Sequence, residues 1–327
     1  MLTCPVHQCP IEHPRGGVPW PDTTTLRCAE GCTWPVRGGV PRFTDEVYAA
    51  AFGLQWRRYR KTQLDSNSGF PISQTRLERG IGMPIEDLRG KRVLEVGCGA
   101  GRFTELFIRG GAELVSADLS SAVDANLANN GGGDTPYTLV QANLAELPVP
   151  DRYFDCVMCL GVLQHTPSPE ESMAILKSKV APGGILVIDH YQWRTGIAHT
   201  LSKYLTMQVP VRAVLKRMDS EAAINATIAI SKIGYPLRKL VVGKFFGIFD
   251  QIVRRLVPAS WAEFDLPSEL HREWSELNTH DTLTDWHKHV RTPDEIRQSL
   301  EDLGLEDIWM EVPPAGGVIE ARGRVPL

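Results

Sequence analysis

The chain has 327 residues, of which 43% are hydrophobic and 23% charged, and its formal net charge at pH 7 is -4. This composition is typical of a globular protein with two domains or one domain with large insertions, and the charge gives no reason to expect an obligatory nucleic-acid partner. The first residues carry neither a basic nor an apolar signal region, and no apolar run is long enough to span a membrane. We therefore expect a cytoplasmic protein.

The first 43 residues contain four of the seven cysteines, in two pairs separated by a loop rich in proline and glycine. The segment has too few apolar residues to fold by burial alone, and four thiolates suit tetrahedral Zn²⁺. We predict a structural or docking zinc ribbon over residues 1–43, in which His7 could replace one cysteine. Four free thiols are the alternative. The predicted ligands are Cys4, Cys9, Cys28 and Cys32.

Residues 44–89 are predicted to be mainly helical, because Phe52, Trp56 and Tyr59 recur at helical spacing. An aromatic stripe of this kind is most often core packing. The spacing alone does not distinguish a core helix from a helix that also contacts a ligand.

The next stretch combines a buried strand with a glycine-rich turn. The strand pattern Val93–Val96 runs into Gly97, Gly99 and Gly101, and a helical pattern follows. Glycines let the backbone approach a ligand closely and adopt positive φ, so the pattern predicts a site for a nucleoside-bearing cofactor. The spacing G-x-G-x-G differs from the G-x-G-x-x-G of nicotinamide enzymes, which remain an alternative, as does a turn without a ligand.

An acidic residue, Asp118, follows the second predicted strand, over residues 113–117. A carboxylate at this point can accept hydrogen bonds from both ribose hydroxyls of a cofactor. The same residue could instead cap the helix predicted over residues 120–129. We favour ribose binding, since the glycine turn and the acid occur together.

The pattern Glu95-x-Gly97-x-Gly99-x-Gly101 resembles the first motif of class I S-adenosylmethionine-dependent methyltransferases, and later motifs follow in that family's order over residues 90–190. The resemblance implies a Rossmann-like, doubly wound α/β fold with a seven-stranded sheet whose last strand is antiparallel. It implies S-adenosyl-L-methionine as the cofactor. The N-terminal segment resembles the zinc-ribbon start of a subgroup of these enzymes.

The resemblance also implies a set of cofactor contacts. The helical segment 44–89 would lie over the cofactor, and Arg76 would pair with the methionine carboxylate. Asn143 stands where the family usually has an aspartate beside adenine, and its amide can both donate and accept. The predicted cofactor-binding residues are Trp56, Arg76, Glu95, Gly97, Cys98, Gly99, Gly101, Asp118, Leu119, Asn143, Leu144, Leu160, Gly161 and His165.

Two histidines are candidate general bases. His165 and His190 follow the predicted ends of the fourth and fifth strands, and an unperturbed histidine titrates near neutrality. Methyl transfer from a sulfonium depends mostly on alignment, so a base would help chiefly with an oxygen acceptor. His165 could equally be fixed by the cofactor or by its loop.

A long insertion, residues 191–290, precedes a late helix and a strand hairpin over residues 291–327. Between residues 200 and 256 it contains ten basic and three acidic residues. We predict that the insertion is helical, folds over the ends of the fourth and fifth strands and closes the acceptor pocket. The stretch 237–257 alternates apolar and basic residues, which suits a helix on anionic lipid, a lid over an anionic substrate or a solvated helix face.

The sequence therefore predicts an S-adenosylmethionine-dependent methyltransferase that acts on oxygen or nitrogen of a small molecule in sugar, lipid or secondary metabolism. An anionic or lipid-linked acceptor, or a peripheral membrane contact, would explain the basic insertion. The alternative is a scaffold or regulatory subunit that binds the cofactor without turnover. The intact glycine turn and Asp118 argue against that alternative.

Overall fold

The computed structural model describes residues 1–14, 16–44, 50–132, 136–193, 206–241, 252–253, 256–285, 287–313 and 317–327. The chain divides into two compact units. Unit 1 comprises Met1–Trp193 and His289–Leu327, and unit 2 comprises Arg194–Lys288. None of the described helices has the length and apolarity that a membrane span requires.

The N-terminal ribbon is a small antiparallel sheet within unit 1. Leu26 and Val36, on its second and third strands, belong to the same hydrophobic core as the large sheet described next. The expectation that this segment cannot fold by burial alone stays a prediction, and its apolar side chains share a core with a much longer part of the chain. The strands, in their order across the sheet, are β1 (Ile11–Glu12), β2 (Thr25–Cys28), β3 (Thr33–Arg37) and β4 (Val40–Pro41).

The rest of unit 1 is built on a seven-stranded sheet, and the predicted Rossmann-like fold is confirmed. Its strands are β5 (Arg92–Val96), β6 (Glu113–Asp118), β7 (Thr138–Gln141), β8 (Phe154–Cys159), β9 (Val180–Tyr191), β10 (Glu306–Glu311) and β11 (Val318–Arg324). They lie in the order β10-β11-β9-β8-β5-β6-β7. The five strands from β5 to β9 are parallel to one another, and β11 is antiparallel to both β9 and β10.

The fifth strand of the parallel set, β9, is longer than the sequence predicts. Residues 181–184 contain a Pro-Gly-Gly sequence that indicates a turn, yet the strand begins at Val180, which pairs with Phe154 across an irregularity in the register. At the other end it continues to Tyr191, because β11 pairs with it there. His190 consequently lies inside the strand, and the expectation that it follows the strand is wrong.

Helices flank this sheet and form most of the described part of unit 2. Parallel strands bury both faces, which explains the near-continuous apolar sequences of β5 and β8. The helices are α1 (Ala50–Arg58), α2 (Asp65–Ser68), α3 (Ile72–Ile81), α4 (Thr104–Gly110), α5 (Ala122–Asn130), α6 (Pro169–Lys179), α7 (Gln208–Leu215), α8 (Ser220–Val241), α9 (Ser268–Thr284) and α10 (Pro293–Asp302).

Unit 2 is held together by its own buried contacts, in which α7 and α8 both pack on α9. The Thr227 hydroxyl lies 3.0 Å from Nδ1 of His280. Arg212 pairs with Asp285, and the buried Arg238 donates to the backbone oxygen of Ala259. Two of the basic residues counted in the sequence are therefore used inside the unit. The predicted amphipathic stretch 237–257 lies largely outside the described residues.

Candidate functional site

The glycine turn follows β5 and leads to α4. Gly97 and Gly101 have φ of 80° and 91°. A Cβ on Gly97 would lie 2.0 Å from Cγ2 of Val162, and one on Gly101 would lie 2.1 Å from Nδ2 of Asn130. Both positions therefore require glycine, for backbone conformation and for space.

The turn is tied to Asp118, the last residue of β6. The Gly99 backbone N–H donates to Oδ2 of Asp118 at 2.9 Å, and the backbone N–H and hydroxyl of Ser120 donate to Oδ1. Burial raises the pKa of Asp118, although these three bonds oppose the shift. Of the about four lone-pair sites of the carboxylate, these bonds use three, and Oδ2 retains one. The arrangement is compatible with ribose binding, while α5 begins only at Ala122.

The end of β7 lies beside the end of β6, where an adenine would be expected. The side-chain oxygen of Asn143 accepts from the Ala145 backbone N–H at 3.0 Å, and its amide nitrogen donates to no described residue. Leu119 and Leu144 are half-buried, and Leu160 is buried. A Cβ on Gly161 would meet nothing within 4 Å, so the backbone there borders open space.

Two predicted cofactor residues lie beneath the turn. Glu95 is 2% exposed, and its carboxylate accepts from the Thr104 hydroxyl at 2.6 Å and the Ser116 hydroxyl at 2.7 Å. Burial raises the pKa of Glu95 to about 7 and raises the pKa of the Cys98 thiol well above its usual range. These residues support the turn from the core side, so their contact with a cofactor stays a prediction.

The helical segment before β5 contributes Trp56 and Arg76. Cε2 of Trp56 would lie 3.2 Å from a Cβ on Gly99, so the indole lies against the glycine turn. The Arg76 guanidinium donates to Glu320 at 2.7 Å and to Asp189 at 2.5 Å. Burial opposes the charge of Arg76, but these two carboxylates raise its pKa.

The Arg76 network differs from the predicted role of this residue. Asp189, which is 1% exposed, also accepts from the Gly161 backbone N–H at 2.7 Å. Arg76 therefore joins α3 to β9 and β11, and two of its nitrogens are already bound where a methionine carboxylate was expected. Sequence reasoning missed these partners because Asp189 and Glu320 lie 113 and 244 residues further along the chain.

The two candidate bases have different surroundings. His165 lies in a single helical turn after β8, with Nε2 3.5 Å from the Tyr191 hydroxyl and the two rings edge to face. His190 is buried in β9, and burial lowers its pKa to about 4. A base is most effective when its pKa is near the operating pH, so His190 is poorly suited to the role.

Buried polar atoms gather beside these histidines. Within the described residues, Oε1 of Gln164, Oε1 of Gln192 and Nε of Arg291 have no hydrogen-bond partner. Gln192 and Arg291 are adjacent, since they form a parallel bridge at the end of β9. An unsatisfied buried polar group costs about 1–3 kcal/mol, so a polar ligand that satisfied them would be stabilised.

A second candidate site lies in the ribbon, where one ligand atom from each of four residues lies within 4.8 Å of the others. Nδ1 of His7 is 3.6 Å from the sulfur atoms of Cys4 and Cys32 and 3.8 Å from that of Cys28. Tetrahedral zinc with ordinary bond lengths separates a sulfur and a nitrogen ligand by about 3.6 Å. The geometry and chemistry of the four donors therefore fit zinc.

This cluster contains His7 where Cys9 was predicted. A tight turn after Cys4 places the His7 backbone N–H 3.3 Å from the Cys4 sulfur, which brings the imidazole over the other thiols. Cys9 stays beside the cluster, and burial and a hydrogen bond to Cys28 raise its pKa. Burial also acts to raise the pKa of Cys28, but hydrogen bonds led by that to His7 lower it to about 6.

Comparison with known proteins agrees with the fold. Residues 94–188 match the family model of a methyltransferase domain, Methyltransf_11. A tRNA U34 carboxymethyltransferase of Methylococcus capsulatus is 35% identical over 108 residues, which are 32% of this chain and 33% of that protein. A ubiquinone biosynthesis O-methyltransferase of Alkalilimnicola ehrlichii is 33% identical over 157 residues, which are 47% of this chain and 63% of that protein.

The matched regions cover only part of these relatives, less than two thirds of each. Among solved structures, magnesium protoporphyrin IX methyltransferase from Synechocystis, with bound SAH, aligns with 85% of this chain and 96% of its own, at 16% identity and a TM-score of 0.45. The family match covers β5 to β9 and includes the glycine turn and Asp118. Residues 94–188 therefore belong to a class I S-adenosylmethionine-dependent methyltransferase domain.

Proposed function

We propose that the protein transfers a methyl group from S-adenosylmethionine to a hydroxyl of a small molecule bound at the carboxyl ends of β8 and β9. The observation that carries this proposal is the bond between the Gly99 N–H and Asp118. It joins the turn and the acid that the cofactor's ribose requires, within the domain matched by the family model.

When bound, S-adenosylmethionine supplies a methyl group on an activated sulfonium. The glycine turn would admit its close approach, while Asp118 and the amide of Asn143 would hold the ribose and the adenine. Trp56 would cover the turn. The protein's main contribution would be to align the acceptor with the methyl group and to exclude water.

His165 is the residue that we propose to take the acceptor's proton. It is half-buried and lies beside the Tyr191 hydroxyl, which can fix the orientation of its ring or of the substrate. A hydroxyl acceptor is favoured because the similar proteins include O-methyltransferases. The side chains of Gln164 and Gln192 would provide hydrogen-bond acceptors for further polar groups on the substrate.

The insertion, unit 2, is proposed to select the acceptor. An anionic or lipid-linked molecule would suit its positive charge. Arg212 and Arg238 are already engaged inside the unit, so the charge that remains for a partner is smaller than the sequence count.

Calorimetric titration with S-adenosylhomocysteine tests the cofactor site. Asp118→Ala should weaken binding at least about tenfold, because charge-assisted hydrogen bonds are lost. Asp307→Ala is the matched control, since its carboxylate is exposed on β10, and it should leave affinity unchanged. His165→Gln should leave affinity nearly unchanged while lowering turnover of a hydroxylated acceptor.

Equal affinity of the wild-type protein and the Asp118→Ala variant would remove Asp118 from the site. Binding without release of S-adenosylhomocysteine, across a broad panel of acceptors, would instead favour a scaffold or regulatory subunit. Tight binding of NADH would contradict the choice of cofactor.

We also propose that the ribbon holds one zinc ion through Cys4, His7, Cys28 and Cys32, with no part in the chemistry. Elemental analysis of the purified protein should find about one zinc per chain. Cys28→Ser should abolish it, whereas Cys9→Ser should retain it. Loss of zinc in the Cys9→Ser variant and its retention in a His7→Ala variant would favour the four-cysteine site instead.

A further inference from the structure

A buried arginine connects the ribbon to the edge of the large sheet. Arg42 follows β4, and its side chain is 10% exposed. Its guanidinium donates to the backbone oxygen of Arg37, at the end of β3. It also donates to Oε1 of Gln141 at 3.0 Å and to Oδ1 of Asp124 at 2.5 Å. One side chain therefore binds the ribbon, the end of β7 and the first turn of α5.

These contacts enclose the segment that follows Asp118. The buried Gln141 side chain links Arg42 to Leu119, because its Nε2 donates to the backbone oxygen of Leu119 at 2.9 Å. Asp124 lies at the other end of the same segment, in α5. Arg42 thus contacts one end of the segment 119–124 directly, at Asp124, and the other end through Gln141, at Leu119.

The ribbon gives Arg42 a rigid support. The β2–β3 hairpin carries Cys28 at the end of one strand, and β3 begins immediately after Cys32. The other end of β3 is Arg37, whose carbonyl binds Arg42. The hairpin therefore runs from the proposed metal cluster to the arginine, a distance of roughly 16 Å at the rise of an extended strand.

We propose that Arg42 is a positioning residue that places the ribose-binding end of the cofactor site, and that the metal-bound ribbon keeps it in place. The inference rests on the proposed function, because it assigns a ribose to Asp118. Arg42 itself touches no reacting atom. A lysine could not replace it, since only the guanidinium fork can bind Arg37, Gln141 and Asp124 together.

The test compares two arginines on the same sheet. Arg42→Met is matched with Arg92→Met, which removes an arginine–aspartate pair between the interior strands β5 and β8, where Arg92 binds Asp155. Affinity is measured for S-adenosylhomocysteine and for methylthioadenosine, which lacks the amino-acid part. Arg42→Met should weaken both ligands by the same factor, roughly tenfold, as expected when a buried hydrogen bond is lost. Arg92→Met should change affinity less than twofold.

Two further measurements distinguish support of the cofactor site by Arg42 from an effect on the overall stability of the protein. Cys28→Ser should weaken both ligands similarly, and the double variant with Arg42→Met should be no weaker than the worse single variant, since both remove one connection. Amide hydrogen exchange without ligand should be faster at residues 119–124 in Arg42→Met and unchanged in Arg92→Met.

The inference is overturned if Arg42→Met binds both ligands as the wild type does, or if the two arginine variants lose affinity equally. Additive losses of ligand affinity in the double variant would show that the metal site and Arg42 act independently. If the wild type binds neither ligand, the proposed function fails, and hydrogen exchange at residues 119–124 still decides whether Arg42 supports that segment.

Discussion

The ribbon and the helical insertion are both additions to one methyltransferase domain, but they are built in different ways. The ribbon contributes Leu26, Val36 and Val40 to the hydrophobic core of unit 1, and Arg42 adds an ion pair with Asp124, whose side chain is 42% exposed. Unit 2 buries a set of its own, which includes Ile224 and Leu277. Polar contacts within unit 2 include that of Thr227 with His280.

The difference teaches that a short segment with a candidate metal site need not be a separate domain. The ribbon's strands are too short to bury their apolar residues alone, so they depend on the large sheet. Unit 2 is long enough to hold its helices together through α9. We therefore expect the ribbon to be required for the domain's stability and the insertion to be dispensable for it.

The largest expected effect is the difference between deleting the ribbon and deleting the insertion. A variant without residues 1–43 should lose cooperative unfolding and cofactor binding. Each exposed core side chain costs about 1.5–3 kcal/mol, and several together exceed the ~5–15 kcal/mol stability of a typical domain. A variant in which a short glycine-serine linker replaces residues 194–288 should unfold cooperatively and bind S-adenosylhomocysteine with nearly unchanged affinity. Calorimetry measures both quantities.

The linker is geometrically feasible, because the chain leaves and re-enters unit 1 at neighbouring positions. The Trp193 backbone N–H donates to the backbone oxygen of Arg291 at 2.6 Å. A ribbon-free chain with the melting temperature and affinity of the wild type would contradict the comparison. So would an insertion-free chain that fails to fold.

Acidification should change the stability of the two units differently, with a smaller effect than the deletions. In unit 2, burial lowers the pKa of His280 from 6.5 to about 4, so only the unfolded chain takes up a proton as the pH falls from about 6.5 towards 4. Unit 2 should lose about 2 kcal/mol between pH 7 and pH 5. In unit 1, His190 acts in the same direction, but Glu95 opposes it.

Glu95 stabilises unit 1 on acidification because its pKa in the folded state is about 7, above the usual 4.5. The stability it provides is present at low pH and is lost as the pH rises through about 7. Thermal unfolding of the wild type and the insertion-free variant at pH 7 and pH 5 measures the contrast. His280→Leu should reduce the pH dependence of unit 2, to which His271 also contributes because burial lowers its pKa, and an equal loss in both units would refute the prediction.

Local patterns predicted much of unit 1 correctly. The glycine turn after β5, the acid at the end of β6 and the antiparallel hairpin of β10 and β11 each depend on residues close together in sequence. His7 was weighed as a ligand because its spacing from Cys4 is visible in the chain. What spacing did not reveal was the turn that moves Cys9 to the side.

Long-range partners account for most of what the sequence did not reveal. The pairing of Arg76 with Asp189 and Glu320 depends on which strands are neighbours, and no local pattern encodes that. Arg42 was likewise not identified, because its partners lie on β7 and α5. The extent of β9 depends on β11, which comes more than a hundred residues later. Counting charges also overestimated the positive charge that the insertion offers to a partner, because the sequence does not show that Arg238 is buried.

The ribbon's contact with β7 also bears on solubility. The Phe43 N–H donates to the backbone oxygen of Gln141 at 2.8 Å, and Arg42 forms a parallel bridge there. The ribbon thus covers part of an edge strand with the apolar, β-prone sequence Thr138–Gln141, and edges of this kind invite intermolecular pairing. The opposite edge, β10, is protected differently, by the exposed acids Glu306, Asp307 and Glu311. A newly made chain whose ribbon had not yet folded would offer β7 to other chains, so if the ribbon holds the proposed zinc, metal supply during synthesis would influence how much of the protein aggregates.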